Sequence, residues 1–186
     1  MKILSKGNLS KIADSAFFKD SELAVGWPDG NKTAVYYAAQ KNGKNKKDGK
    51  SIPAGKPVSL AMVARTLNYG REAGCTVSGH RYPAIPPRPF MDLASANFAK
   101  KADAILRSML PRYSSGQMTA RQVFEFLGQK GVDEIKDSMR NGPWVAISPY
   151  TIANRRHVAN RRHGGDKPLI DTSTLVNSVS FEIRNK

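Results

Sequence analysis

Cysteine is nearly absent from this chain of 186 residues, since Cys75 is the only one. A single cysteine excludes an intrachain disulfide framework, so a reducing site of synthesis is expected. No apolar run approaches the ~20 residues that a membrane span needs, and the first residues lack the apolar core of a signal peptide. We therefore expect a protein that has no membrane partner and is not exported by the general secretory route.

Acidic residues are also scarce, because 15 Asp and Glu stand against 30 Lys and Arg, for a formal net charge of +15. Residues 1–56, 57–118 and 119–186 each carry more basic than acidic side chains. A charge of this size favours a polyanionic neighbour such as nucleic acid, although many basic proteins use it only for solubility. A broadly positive surface is therefore expected rather than one basic tail.

The sequence lacks the spacings that mark metal sites and catalytic centres. Its three histidines show no ligand spacing with one another or with Cys75. A triad of Ser148, His157 and Asp171 can be drawn, but Ser148 lacks a nucleophile-elbow context and is better explained as a helix cap. No phosphate-binding loop or dinucleotide fingerprint occurs. We predict no catalytic residue, no metal site and no cofactor, and hence no enzyme.

The first third of the chain predicts a β-hairpin and a loop. A weakly helical pattern covers residues 1–20, and Glu22–Trp27 has the composition of a short strand. Pro28-Asp29-Gly30-Asn31 is a turn sequence, and residues 33–38 suit a returning strand. Residues 39–56 are dominated by lysine, asparagine and glycine, so they are predicted to form a flexible lysine-rich loop.

Apolar periodicity predicts three helices in the middle of the chain. The first covers Val58–Leu67 and stops at Asn68-Tyr69-Gly70, and the second runs over residues 89–110. The third begins at Thr119, which forms a capping box with Gln122, and ends at Asn141-Gly142.

The last third predicts a helix that starts at Ser148, a short helical turn at Thr174–Ser178 and a closing strand around Phe181. The predicted fold is α+β, with a small antiparallel sheet packed by two long amphipathic helices. An extended proline-rich arm at residues 80–89 and the lysine-rich loop complete it. At this length we expect one domain, residues 1–186.

Two arginine pairs suit phosphate contacts, although a solvated helix face explains them equally well. No helix-turn-helix, zinc-finger or RNA-binding pattern occurs, so any DNA contact is predicted to be sequence-blind and to weaken steeply with salt. The candidate DNA-facing residues are the loop lysines and these arginines: Lys44, Lys46, Lys47, Lys50, Arg155, Arg156, Arg161 and Arg162.

The run Pro86-Pro87-Arg88-Pro89-Phe90-Met91 is the most informative local feature. Each proline fixes φ near −65° and biases the preceding residue toward extended backbone, so the chain is predicted to run straight here. Pro89 then suits the first position of a helix, where its missing N–H costs nothing. The segment is predicted to be a stiff arm that leads into a helix.

Two pairs of segments carry a resemblance to a known family. The first pair is Met62-Val63-Ala64-Arg65-Thr66-Leu67-Asn68-Tyr69-Gly70 with Ile85–Met91, and the second is Trp144–Ile152 with Lys167–Val179. In this order they resemble the neck and tail-completion proteins at the head–tail junction of tailed bacteriophages, a group that includes the lambda-like minor tail component Z. The resemblance covers roughly residues 58–183.

The chain departs from the family pattern at three places: Ser173, where glycine is usual, Ile147, where leucine is common, and the lysine-rich loop, which looks like an insertion.

This resemblance implies a virion structural protein without catalysis, namely a ring-forming neck or tail-completion subunit that joins the portal connector to the tail. The implied partners are further copies of the chain, portal or connector proteins, tail terminator or tail tube proteins, and double-stranded DNA that passes through a basic channel. The implied location is the head–tail junction of the virion, after assembly in the host cytoplasm. Because a rigid arm loses little entropy on docking, Pro87, Arg88, Pro89 and Phe90 become candidates for intersubunit contacts, although Phe90 also suits the start of a helix core.

Two other function classes remain open from the sequence. The first is a sequence-nonspecific DNA-binding protein that is not part of the virion and binds DNA without phage partners. The second is a phage-encoded hydrolase, for which no catalytic constellation is present. Neighbouring genes for portal, capsid and tail tube would favour the neck interpretation, and replication genes would favour the DNA-binding one.

Overall fold

The structure, a computed structural model, describes residues 16–28, 33–34, 58–75, 79, 81–149, 151–153, 166–170 and 173–186. The chain divides into two compact units, each assembled from separate stretches. The first unit contains residues 1–28, 89–143 and 178–186, and the second contains residues 29–88 and 144–177. The single-domain interpretation stays a prediction.

The described elements are helices and short antiparallel strand pairs, which make the chain an α+β protein as predicted. In chain order they are α1 (Ala16–Asp20), β1 (Ser21–Gly26), β2 (Thr33–Ala34), β3 (Val58–Ser59), α2 (Leu60–Tyr69), β4 (Gly74–Cys75), β5 (Arg81–Tyr82), α3 (Phe90–Ser114), α4 (Ala120–Asn141), α5 (Thr174–Asn177) and β6 (Ser180–Asn185). Among them, no helix combines the length and the apolar character that a membrane crossing requires.

The predicted β-hairpin is wrong for the described residues. β1 pairs with β6 from the other end of the chain, and Leu23 lies opposite Ile183 in the middle of the register. Thr33 and Ala34, the described part of the expected returning strand, pair with β3 instead. A turn sequence is a local signal, whereas the partner of a strand depends on which apolar face it buries.

The long helices follow their sequence signals. The Thr119 hydroxyl accepts the Gln122 backbone N–H at 3.3 Å, and the Gln122 side-chain oxygen accepts the Thr119 N–H at 2.8 Å. The predicted capping box at the start of α4 is therefore confirmed. Ser59 caps α2 by accepting the Met62 N–H at 3.2 Å, and α3 extends to Ser114, beyond its predicted end.

In the first unit, α4 packs directly on the β1–β6 sheet, and two glycines allow the close approach. A Cβ at Gly128 would lie 2.5 Å from Cγ of Phe181, and a Cβ at Gly131 would lie 3.2 Å from Cγ1 of Val25. Glycine in a helix interior costs about 1 kcal/mol relative to alanine. Close packing offsets this cost, because each glycine leaves space for an apolar side chain of the sheet.

The core of the first unit is centred on Phe90, which is fully buried. Its ring meets the Trp27 ring edge-on, with centroids 6.2 Å apart. The Trp27 indole N–H donates to the Ser178 hydroxyl at 3.1 Å, and the Ser138 hydroxyl donates to the Phe90 carbonyl at 2.9 Å. These contacts connect the start of α3 to the end of β1, to α4 and to the segment before β6.

Candidate functional site

The eight candidate DNA-facing residues lie outside the described part of the chain, so their role stays a prediction. They are Lys44, Lys46, Lys47, Lys50, Arg155, Arg156, Arg161 and Arg162. The described residues include 16 of the 30 Lys and Arg and 11 of the 15 Asp and Glu. Most of the net positive charge therefore belongs to residues outside the described part of the sequence. Among the described residues, the candidate site is defined by backbone hydrogen bonds and packing.

In the second unit, the proline-rich arm is held against the end of α2 by backbone hydrogen bonds. The Arg71 N–H donates to the Ile85 carbonyl at 2.9 Å, and the Ile85 N–H donates back to the Arg71 carbonyl at 2.7 Å. The Arg88 N–H donates to the Leu67 carbonyl at 3.0 Å. We call residues 67–71 and 85–88 the clasp. The two segments of the first motif pair meet in it.

Gly70 lies where the two segments of the clasp cross. Its φ is 76°, in the region that favours glycine. A Cβ at this position would lie 2.6 Å from the Ile85 carbonyl oxygen and 2.9 Å from the Pro87 nitrogen. Both are backbone atoms that cannot move aside independently, so the crossing requires glycine for its conformation and for its size.

Arg88 connects the clasp to the second motif pair. Its side chain is buried, with 4% relative exposure, and its Nε and Nη2 each donate to the Val145 carbonyl at 3.3 Å. Residue types alone do not indicate this contact, because the acceptor is a backbone carbonyl. A fork-shaped guanidinium suits it, since two donors reach one oxygen.

The four arm residues proposed for intersubunit contacts have different environments. Pro87 and Pro89 are exposed, whereas Arg88 is buried and Phe90 is fully buried. The burial of Phe90 fits its alternative interpretation as the first core residue of a helix. An intersubunit role for the arm stays a prediction, and Pro87 and Pro89 are the two of these four residues that are exposed in this fold.

Ser173 adopts a conformation that favours glycine. Its φ is 60°, and among the described residues it is the one non-glycine residue with positive φ. It immediately precedes α5, and its carbonyl accepts the Asn177 N–H at 2.9 Å. Ser173 stands where the family pattern carries glycine.

Replacing Ser173 with glycine is expected to stabilise the protein by roughly 0.5–1 kcal/mol. A left-handed conformation costs a non-glycine residue about 1–2 kcal/mol, and glycine removes this strain. Glycine also makes the unfolded chain more flexible, which lowers the free energy of unfolding by about 0.5–1 kcal/mol and offsets part of the gain. Urea unfolding followed by circular dichroism measures the difference. Ser173→Ala is the matched control, because it removes the hydroxyl and keeps the Cβ. Equal stabilisation by both variants would contradict the strain argument.

A polar contact joins α3 and α4 in the first unit. The Lys101 ammonium donates to the Glu134 carboxylate, and this hydrogen bond raises the pKa of Lys101. The ion pair is exposed and adds little stability. Within the described ranges, no group of three or more His, Cys, Asp or Glu side chains is placed to hold a metal ion.

Comparisons with models of known protein families, with curated proteins and with solved structures found no match. The interpretation of the clasp therefore depends on its motif residues and on their geometry.

Proposed function

We propose that this chain is a virion structural protein of a tailed bacteriophage, a ring-forming neck or tail-completion subunit that joins the portal connector to the tail. The observation that carries the proposal is the backbone at the two glycine positions of the resemblance. Gly70 has a φ of 76° and Ser173 has a φ of 60°. A chance similarity of letters gives no reason for both positions to have positive φ, least of all where this chain has serine.

The clasp provides a second line of support. Arg88, in the Ile-Pro-x-Arg-Pro-Phe motif, binds the carbonyl of Val145, next to the tryptophan that opens the second motif pair. The motif residues therefore form one structural element although more than fifty positions separate them in the sequence. Residues that act together in this way are expected to be retained together.

The proposed role is mechanical. A joining ring transmits load between the rings above and below it, and the clasp gives the arm a fixed direction through three backbone hydrogen bonds. DNA that passes through the ring requires a channel surface that attracts its phosphates without sequence specificity. The net charge of +15 on this chain fits such a surface. The lysines and arginines predicted to face DNA would supply this attraction.

The first test is a search for this chain in purified tailed particles from its source. Mass spectrometry of the particles should find the chain, and cryo-electron microscopy should find it as a ring between portal and tail. A mutant phage that lacks the chain should accumulate unjoined heads and tails, and purified protein added to such a lysate should restore infectious particles.

Absence of the chain from particles, with unchanged joining in the mutant, would reject the proposal. The DNA-binding alternative then predicts tight binding of double-stranded DNA by the free protein, and the affinity should fall steeply with salt. Gel-shift titrations at several salt concentrations would measure this.

A further inference from the structure

Strands β4 and β5 belong to a β-hairpin that begins and ends in the clasp. Cys75 lies opposite Arg81, and Arg71 lies opposite Ile85 at the root. The two pairs are four residues apart on each strand, so the register between them contains no net bulge. Residues 71–85 therefore form one antiparallel ribbon, which we call the hairpin.

The hairpin is exposed to solvent on both faces. Among the hairpin residues whose burial the structure describes, Gly74 and Ile85 are half-buried and the others are exposed. An isolated two-stranded ribbon is marginally stable in water, so this one depends on its root. The two backbone hydrogen bonds between Arg71 and Ile85 provide that root. The ribbon is thus held at one end and accessible along its length.

One face of the hairpin carries two arginines. Side chains alternate between the faces of a strand, and residues directly opposite each other share a face. Arg71 therefore lies on the same face as Cys75, and so does Arg81, which is opposite Cys75. Glu72 is the single acidic residue of the hairpin and lies on the other face. We call Arg71, Cys75 and Arg81 the hairpin face.

The remaining side chains of this face favour a polyanion over an apolar protein partner. Ala73 and Pro83 lie between the two arginines, and both are small and exposed. The large apolar anchors that fill a pocket in a typical protein interface are missing from the described residues of the face. Guanidinium groups suit phosphate oxygens, and a two-stranded ribbon is narrow enough to enter the major groove of DNA.

We infer that the hairpin face binds the phosphate backbone of double-stranded DNA through Arg71 and Arg81. This inference rests on the proposed function, in which DNA passes through the ring. The two arginines lie four residues apart along the ribbon, which corresponds to about 13 Å. Duplex DNA carries roughly one negative charge per 1.7 Å of its axis, so both arginines can reach phosphates of one duplex.

The salt dependence of DNA binding tests the inference on the full chain. Fluorescence anisotropy with a labelled random-sequence duplex gives the association constant at several salt concentrations. Each phosphate contact contributes about 0.9 to the slope of log K against log salt, so Arg71→Gln with Arg81→Gln should reduce the slope by about 1.8. Arg112→Gln with Arg121→Gln is the matched control, because it removes the same charge from exposed sites on α3 and α4. Circular dichroism confirms that both variants are folded.

Cys75 permits a second measurement that leaves both arginines in place. It is exposed and is the only cysteine of the chain, so an azidophenacyl group can be attached to the hairpin face alone. Light should then crosslink the labelled protein to the duplex. Arg112→Cys in a Cys75→Ser background, labelled in the same way, is the control and should crosslink poorly.

Three results would overturn the inference. They are a wild type that does not bind DNA at low salt, equal slopes for the two double variants, and crosslinking from Cys75 no stronger than from the control. Normal DNA binding by the Arg71→Gln and Arg81→Gln variant, together with a failure to join heads to tails, would show that the hairpin binds a virion protein and would also overturn it.

The outcomes separate this inference from the proposed function. A ring found in particles, together with an unchanged salt slope for the hairpin variant, would remove the DNA contact and leave the function in place. A reduced slope in a protein that is absent from particles would keep the contact and remove the function.

Discussion

Replacing Phe90 with alanine is expected to destabilise the first unit by about 3–5 kcal/mol, the usual cost of removing a fully buried phenylalanine. The ring has no exposed surface and packs edge-on against Trp27. Its loss leaves a cavity at the start of α3, where the Trp27 and Ser138 contacts converge. Urea unfolding followed by the fluorescence of Trp27, in a Trp144→Phe background, measures the change.

Phe126→Ala provides the matched control because it is the same chemical change at an exposed site on α4. In dilute monomeric protein it should cost less than about 1 kcal/mol, mainly through the loss of the Lys130 contact. A Phe90→Ala variant as stable as this control would show that the Phe90 ring is not the centre of the core. The expected instability also means that failed particle assembly by Phe90→Ala would not identify an intersubunit contact.

Replacing Gly70 with alanine should cost about 2–5 kcal/mol and open the clasp. Positive φ accounts for about 1–2 kcal/mol of this loss, and overpacking against the backbone of Ile85 and Pro87 adds roughly 1–3 kcal/mol. Hydrogen exchange should quicken at the amides of Arg71, Ile85 and Arg88, since these three N–H groups make the clasp hydrogen bonds. Urea unfolding gives the total free energy.

Gly79 offers a control for the conformational part of this effect. Its φ is 81°, close to that of Gly70, but a Cβ there would meet no atom within 4 Å. Gly79→Ala should therefore cost only the strain of about 1–2 kcal/mol and leave exchange at the clasp amides unchanged. Equal costs for the two variants would contradict the proposed clash between residue 70 and the arm.

Local sequence signals predicted the helices well because the information that forms a helix is local. The capping box at Thr119 and the apolar periodicity of α3 and α4 lie within a few residues of the backbone that they control. The pairing of β1 with β6 was not predictable in this way, since the partner strand lies at the opposite end of the chain. The turn sequence after Trp27 favoured a nearby partner, and the packing against α4 required a distant one.

The candidate site, like the fold, could be predicted from the sequence only in part. The proline run predicts an extended segment that leads into a helix, because proline restricts its own backbone. A helix does begin directly after the run, at Phe90, and the extended arm itself stays a prediction. The burial of Arg88 and its bond to the Val145 carbonyl were not predictable, since a backbone acceptor leaves no residue-type signal. The positive φ of Ser173 was not predictable either, because a serine does not indicate a backbone conformation that favours glycine.

The close approach at Gly128 restricts how the sequence can change over evolution. A side chain at position 128 would overlap the ring of Phe181, which lies on a strand at the far end of the chain. Relatives with alanine or a larger residue at 128 are therefore expected to have a smaller residue at 181, whereas glycine at 128 permits an aromatic ring there. This coupled substitution provides a criterion for recognising distant relatives that have lost the proline-rich motif.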